Sequence, residues 1–430
     1  MDDVLIVGGG PAGASTAFQL ARRGIAVRVL DRARFPRSKP CAECLSPQAS
    51  RLLSDMDVLS ELDSAGARLR GMLVRSPDGT VARGDYDAAH GFRPFATRGL
   101  AIRRERLDSV LIERARQAGA RVDERMRVTD VSRDGRGRVE GVAAIDESGA
   151  SHELSARIVV GADGLRSVVA RRLGLARASR WPRRLSLVAH YQDVADVGEY
   201  GEMHIERDGF VGIADVGDGT TTVAAVFPVA RATEISIDRT AFLDRWLASR
   251  PHLRSRFAGA VHASPVVATG PFASRARRAS HPGAVLVGDA ADFYDPFTGE
   301  GIYSALRGGE LAADVIAQAL ADSRQERDVF DAYDGTRKRE FGAKWWVETL
   351  IACGVALPPV ANRAARALRS DPRLADLLVG VTGDFVPARR VLRPDYLAAL
   401  LLLPLSSRQA PTASASSEAS HPSRHANRPQ

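Results

Sequence analysis

The stretch "VLIVGGGPAG" (4–13) decides how the rest of the chain is read. A short apolar run, Val4–Val7, leads directly into Gly8, Gly10 and Gly13 at Gly-x-Gly-x-x-Gly spacing. "ASTAFQLARRG" (14–24) follows, with apolar residues at helical spacing and Gly24 as a C-terminal stop. A second apolar run, "AVRVL" (26–30), ends at Asp31. Strand, glycine turn, helix, strand and acid in that order make a dinucleotide-binding unit. Gly8 permits the tight turn, Gly10 lets a pyrophosphate approach the backbone, and Gly13 lets helix and strand pack closely. The helix N-terminus offers free N–H groups and positive potential to the phosphates, and Asp31 is placed for ribose hydroxyls.

The same grammar returns twice. "ARIVVGADG" (156–164) is a β-branched run ending in Asp163-Gly164, and "GAVLVGDAAD" (283–292) is another ending in Gly288-Asp289. Ligands of doubly wound sheets collect beyond the carboxyl ends of the strands, so three such ends imply one extended ligand. The next segment, "FYDPFTGEGIYSALRGGELAADVIAQAL" (293–320), predicts a loop and then a long helix capped by Thr298. Gly299 and Gly301 let a ligand approach that helix N-terminus, whose dipole suits the anionic pyrimidine end of a reduced flavin.

Composition narrows the class. The chain has 430 residues, 45% hydrophobic and 26% charged, as in ordinary globular proteins. Its net charge of +8 is almost wholly arginine, scattered among acids without aromatic-interleaved motifs, which argues against nucleic acid. The acidic start is not a signal peptide, and three cysteines make no disulfide framework; a cytoplasmic location is the expectation. No His/Asp/Glu spacing suggests a metal site. "YLAALLLLPL" (396–405) is about half a membrane span, a packed helix or a peripheral dip into lipid. The Ser/Ala/Pro-rich segment 406–430 is expected to be disordered.

These residues resemble the FAD-dependent oxidoreductases of the aromatic-monooxygenase and geranylgeranyl-reductase superfamily. GGGPAG, PCAECLSP, the arginine of "IRRERLD", GADG and GDAADFYDPFTGEGI carry the likeness over roughly 1–340. The resemblance implies an α/β fold: a glutathione-reductase-type, Rossmann-like FAD-binding domain with an inserted antiparallel β-sheet substrate domain and a C-terminal helical region. The expected divisions are 1–184 (with a small β insertion near 70–100) and 266–340 for FAD, 185–265 for the substrate sheet, and 341–405 for the helices. By position, Gly8, Gly10, Ala12 and Gly13 would cradle the FAD pyrophosphate and Asp31 the adenosine ribose. Arg104 would lie along the pyrophosphate or ribityl chain, Val128 would give adenine a backbone contact, and Asp163 would support nucleotide and architecture. Asp289 would hold the ribityl hydroxyls, while Pro296, Gly301 and Ile302 border the isoalloxazine. Cys41, Ala42 and Cys44 lie in a loop that passes beside the flavin. With no second dinucleotide unit and no further zinc ligands, Cys41 reads as lining the flavin site and Cys44 as its neighbour.

Residues 185–228 read as strands joined by a "GDG" hairpin (217–219), and in this superfamily such a sheet contacts substrate. His190, Tyr191, His204, Phe210 and Phe227 are candidate pocket residues. The chemistry expected is NAD(P)H-consuming monooxygenation with O2 as co-substrate, through a flavin C4a-hydroperoxide. A small lipophilic aromatic or quinone-like secondary metabolite is the expected substrate, a prenylated quinolone being one example. Reduction of a geranylgeranyl or polyprenyl chain is the alternative. It is weighed down because neither "GFVGIADV" nor "AVFPV" holds the Tyr-x-Trp-x-Phe-Pro segment of prenyl reductases, nor the Trp-x-Trp-x-Ile-Pro of halogenases. A non-catalytic, prenyl-binding escort is the reading from another class.

Overall fold

The computed structural model describes residues 2–87, 89–178, 181, 183–322 and 326–402. The expected disordered segment 406–430 and residues 403–405 of the last apolar run lie outside them.

β1 (Asp2–Val7) leads through the glycine turn to α1 (Pro11–Ala21) and β2 (Val27–Leu30). An excursion holding β3 (Gly71–Arg75) and β4 (Val81–Asp85) returns through α2 (Arg104–Gln117) to β5 (Arg121–Asp123). A meander, β6 (Arg127–Arg133), β7 (Val139–Ile145) and β8 (Ser151–Gly161), comes next. The short β9 (Ala176–Ala178) precedes β10 (Arg184–Gln192), β11 (Tyr200–Glu206), β12 (Gly209–Asp215) and β13 (Thr220–Pro228). β14 (Ser274–Ala276) and β15 (Ala284–Leu286) bring the chain back. The helices α3 (Gly301–Ala321), α4 (Glu326–Val355), α5 (Pro358–Ser370), α6 (Pro372–Thr382) and α7 (Pro394–Leu401) follow.

The first sheet holds a parallel run in the order β15–β8–β1–β2–β5, with β7 pairing antiparallel to β8 and to β6. Val4, Leu5 and Ile6 point alternately to its two faces and all are fully buried, so both faces are covered. That is why these strands read as continuous apolar runs. α1 is buried along its whole length between α2 and α3. It meets α3 at small residues: Ser15 Oγ donates to Leu306 O at 2.8 Å, and a Cβ on Gly309 would come within 2.8 Å of Ser15.

The second sheet runs β10–β13–β12–β11–β3–β4. Its core is antiparallel, with the expected hairpin at Gly217–Gly219, where three successive positive φ angles turn β12 into β13. Two expectations need correction. The sheet is mixed, because β3 pairs parallel to β11. The insertion near 70–100 is therefore part of the substrate sheet rather than a separate small feature. The helical region also has no break at 340/341, since α4 continues through it for 30 residues. α5 and α6 cover β4 through Leu368 and Ala375 against Ala82. Tyr396 of α7 is buried and its hydroxyl donates to Leu374 O at 3.0 Å. No helix among the described residues is long and apolar enough to cross a membrane.

Candidate flavin site and substrate cavity

The glycine turn is built by close approach. Gly8 has φ +102°, and a Cβ on Gly13 would fall 1.8 Å from Gly8 O, so neither position admits a side chain. Gly10, the N-cap of α1, instead opens onto a cavity of about 1050 Å³. Its missing Cβ would lie 3.4 Å from Arg37 Nη2 and 3.9 Å from Arg104 Nη2. Arg104 is buried and held bidentately by Asp108 at 2.8 Å, and Arg37 reaches the same carboxylate at 3.1 Å. A helix N-terminus, bare backbone and two guanidiniums converge on one point, which is the donor set a diphosphate needs. The residues fit the pyrophosphate of FAD.

Three predicted nucleotide contacts stand elsewhere. Asp31 is not part of the cavity wall: its carboxylate accepts from Gly9 N at 2.7 Å and Ala33 N at 2.8 Å and lies 3.9 Å from Arg37 Nη2. A short acid at the strand end meets the turn's own amides, so Asp31 shapes the turn at the end of β2. Val128 is buried in the ladder opposite Ala144, outside the cavity wall. Asp163 accepts from Val168 N at 2.6 Å, while its other oxygen is buried without a hydrogen bond to any described residue. Burial pushes its carboxyl up. Its visible work is to hold the turn after β8.

The remaining predicted positions do meet. Ala12, Cys41, Ala42, Cys44 and Arg104 line the cavity with Asp289, Pro296, Gly301 and Ile302. The Thr298 cap is a correction: Glu300 stands at the N-cap of α3 and Thr298 ends a short 3₁₀ turn. Asp295 accepts from Phe297 N at 3.1 Å, and left-handed Gly299 (φ +72°) redirects the chain after it.

The PCAEC loop carries more than its thiols. All three cysteines of the chain are free. Burial first, then Cys41 and Glu43, push the Cys44 thiol up to about 12, so it stays protonated and inert as a nucleophile. Glu43 between them is buried at φ +63°. One of its oxygens accepts from Arg104 N at 2.8 Å, and the other meets His190 Nε2 at 2.7 Å. His190 Nδ1 is 3.0 Å from Ser264 Oγ. A carboxylate on the cavity wall is thereby linked through an imidazole to a half-buried hydroxyl.

Alternation along the second sheet sorts the other candidates. Ser186, Val188, Met203, Phe210, Gly212 and Val226 face the cavity. Phe227, Tyr191 and His204 do not, against expectation, because they stand at the opposite parity of their strands. Phe227 is fully buried, edge-on to Phe242 at 5.1 Å and Trp246 at 5.2 Å. Tyr191 donates to Asp244 at 3.0 Å. His204 bonds Glu202 at 2.7 Å and stacks on His252 at 5.2 Å.

A buried acid–base cluster closes the far wall. Lys344 of α4 pairs with Asp384, lies 3.8 Å from Glu300 Oε2 and sits 4.3 Å over the Tyr303 ring. Burial raises Glu300 to about 7 against the opposing pull of Lys344. Glu348, one turn beyond Lys344, is pushed well above the carboxylate range by burial and then by Glu300. Both acids line the cavity. Around them, Arg184 pairs with Asp295 at 2.6 Å, and Arg337 pairs with Asp292, which also accepts from Trp345 Nε1 at 2.7 Å. The sequence pattern placed helices at 341–405 but did not single out this cluster. The signal was Arg337, Phe341, Lys344, Trp345 and Glu348 at helical spacing on one face.

Fold, glycine turn and cavity together define a flavin-dependent oxidoreductase. Residues 1–344 match the FAD binding domain family, and the chain belongs to it. It is 28% identical over 391 residues to digeranylgeranylglycerophospholipid reductase 2 of Methanopyrus kandleri, covering 89% of this chain and 93% of that protein. In structure it is similar to a triple mutant of the flavin-dependent brominase Bmp2, with a TM-score of 0.77 and 22% identity over 92% of this chain and 98% of that one. It is also similar to Pseudomonas aeruginosa PqsL in complex with 2-aminobenzoylacetate, with a TM-score of 0.66 and 24% identity over 87% and 98% of the two chains.

Proposed function

We propose that the enzyme reduces a carbon–carbon double bond in a small lipophilic substrate of prenyl type, with NAD(P)H restoring the flavin. The observation that carries this is the placement of Glu348 and Glu300, acids whose carboxyls burial pushes up, on the wall of the cavity beside its aromatic side chains. Bound FAD supplies hydride; the protein must supply orientation, dryness and a proton. Glu348, pushed well above the ordinary carboxylate value, is the proposed proton holder, Glu300 at about 7 exchanges near neutrality, and Lys344 pulls both down. Phe210, Phe272, Phe293 and Met203 exclude water and receive the hydrocarbon. The M. kandleri relative, named as a reductase of a geranylgeranyl lipid, supports the reading. Trp346, Leu350 and Leu357 are exposed, and this apolar edge suits peripheral contact with a membrane surface by a cytoplasmic enzyme.

Oxygenation of a lipophilic aromatic or quinone-like substrate, with O2 as co-substrate, is the second reading. The aromatic wall favours it, as does the strand Gly209–Asp215, which lacks the tryptophan of the reductase segment. Intact flavin-facing residues leave the escort-like reading without support. Photoreduced, FAD-loaded protein mixed anaerobically with a prenylated substrate should regain its oxidised-flavin absorbance. If absorbance returns only with oxygen, and the substrate gains an oxygen atom, the second reading replaces the first.

A further inference from the structure

One group of cations on the cavity wall is used neither by the glycine turn nor by the acid cluster. Lys39, Arg177, Arg275 and Arg277 come from three separate segments to the wall of the same cavity. Arg177 and Arg275 are direct cross-strand partners in β9 and β14, so both guanidiniums leave that ladder on one face. Like charges directly opposite one another destabilise a strand pair. Among the described residues Arg275 is supported only by stacking on Trp345 at 4.0 Å. The side chains of Arg177 and Arg277 make no hydrogen bond or ion pair with any described residue. The acid nearest Arg275 across the next ladder, Asp292, is already taken by Arg337 and Trp345. Lys39 lies 3.7 Å from Asp289 Oδ2, which ties the group to the end of β15 rather than to the glycine turn.

Apart from the acid cluster, the cavity therefore meets two sets of cations, and the first, Arg104 on its wall with Arg37 beside it, already faces the glycine turn. We propose that Lys39, Arg177, Arg275 and Arg277 form a second phosphate site at the cavity rim, for a phosphate- or diphosphate-bearing ligand other than FAD. Planar guanidiniums that share one face suit the oxygens of a multiply charged phosphate, and the ligand removes the repulsion between Arg177 and Arg275. That chemistry has two sources, the diphosphate of a nicotinamide dinucleotide or the headgroup phosphate of a prenyl substrate. The inference rests on the flavin reading only in assigning the first set to FAD.

The test is calorimetric titration of FAD-loaded protein with inorganic pyrophosphate, NADPH and geranylgeranyl diphosphate, comparing the native chain with R177Q/R275Q/R277Q. Pyrophosphate affinity should fall at least about tenfold, by loss of several charge-assisted hydrogen bonds. FAD affinity should stay within about twofold and Tm should hold or rise, because like charges across the ladder are removed. A parallel loss for NADPH alone assigns the rim to the reductant, and a loss for the prenyl diphosphate alone assigns it to substrate. Unchanged affinity for all three ligands would overturn the proposal. So would an equal loss of FAD affinity, which would give these cations to the flavin's own diphosphate. If the native chain takes up no FAD, weaker pyrophosphate binding in the variant still supports the rim, and only the flavin reading falls.

Discussion

The two faces of the second sheet are made by the same strands, yet they do different work. On one face Leu185, Leu187, Tyr191, Val223 and Phe227 pack against Phe242, Leu243 and Trp246. On the other, Ser186, Val188, Met203, Phe210, Gly212 and Val226 border open space and the PCAEC loop. The first face is filled by a helical layer; the second is left for ligand. Residue type does not separate them, since a phenylalanine and a histidine stand on each. Parity along the strand does, and a slip of one residue would exchange the two sets.

Substitutions on the two faces should break differently. Phe227→Ala removes a ring from a closed core and should cost about 3–5 kcal/mol of stability. Denaturant unfolding should show this while turnover per folded molecule stays near normal. On the cavity side, Glu348→Gln removes the proposed proton source and should lower turnover by about a hundredfold. Its Tm should hold or rise, because a buried carboxyl is replaced by a neutral group of the same shape. His190→Gln cuts the link from Glu43 to Ser264 and should lower turnover severalfold with a changed pH profile. His204→Gln, on the covered face, should leave kcat/KM within about twofold, the usual tolerance away from a reacting centre.

Glu300 sharpens the comparison through pH. Its folded pKa, about 7, lies above the ordinary 4.5, so the folded state binds the extra proton. The stability this gives is fully present below about pH 4.5 and is lost as pH rises through 7. Glu300→Gln should flatten the fall of Tm between pH 5 and 8, with Lys344, Glu348 and Tyr86 as the charges and dipoles facing it. A slope identical to the native chain would remove Glu300 from the account.

What was legible in the sequence was local. The glycine turn, the strand ends at Asp163 and Asp289, and the Gly217–Gly219 hairpin each depend on neighbours within a few residues, and each stands where its pattern put it. Thr298 was misjudged because the chain closes a short 3₁₀ turn there and the helix begins only after Glu300, which a motif does not encode. Tyr191, His204 and Phe227 were misplaced because strand parity against a distant layer is not visible in composition. Glu43 meets His190 across 147 positions, and the cluster of Lys344 with Glu300 and Asp384 joins three segments. Such groups become neighbours only once both sheets and the long helix are packed.

The central claim is that this cavity joins a flavin's hydride to a proton held by a buried acid. The most direct measurement is the mass of the product formed anaerobically from a prenylated substrate by FAD-loaded protein and NADPH. The account predicts a product heavier by the mass of two hydrogens, formed at a strongly reduced rate by Glu348→Gln. A product that appears only in air and carries one added oxygen would contradict it.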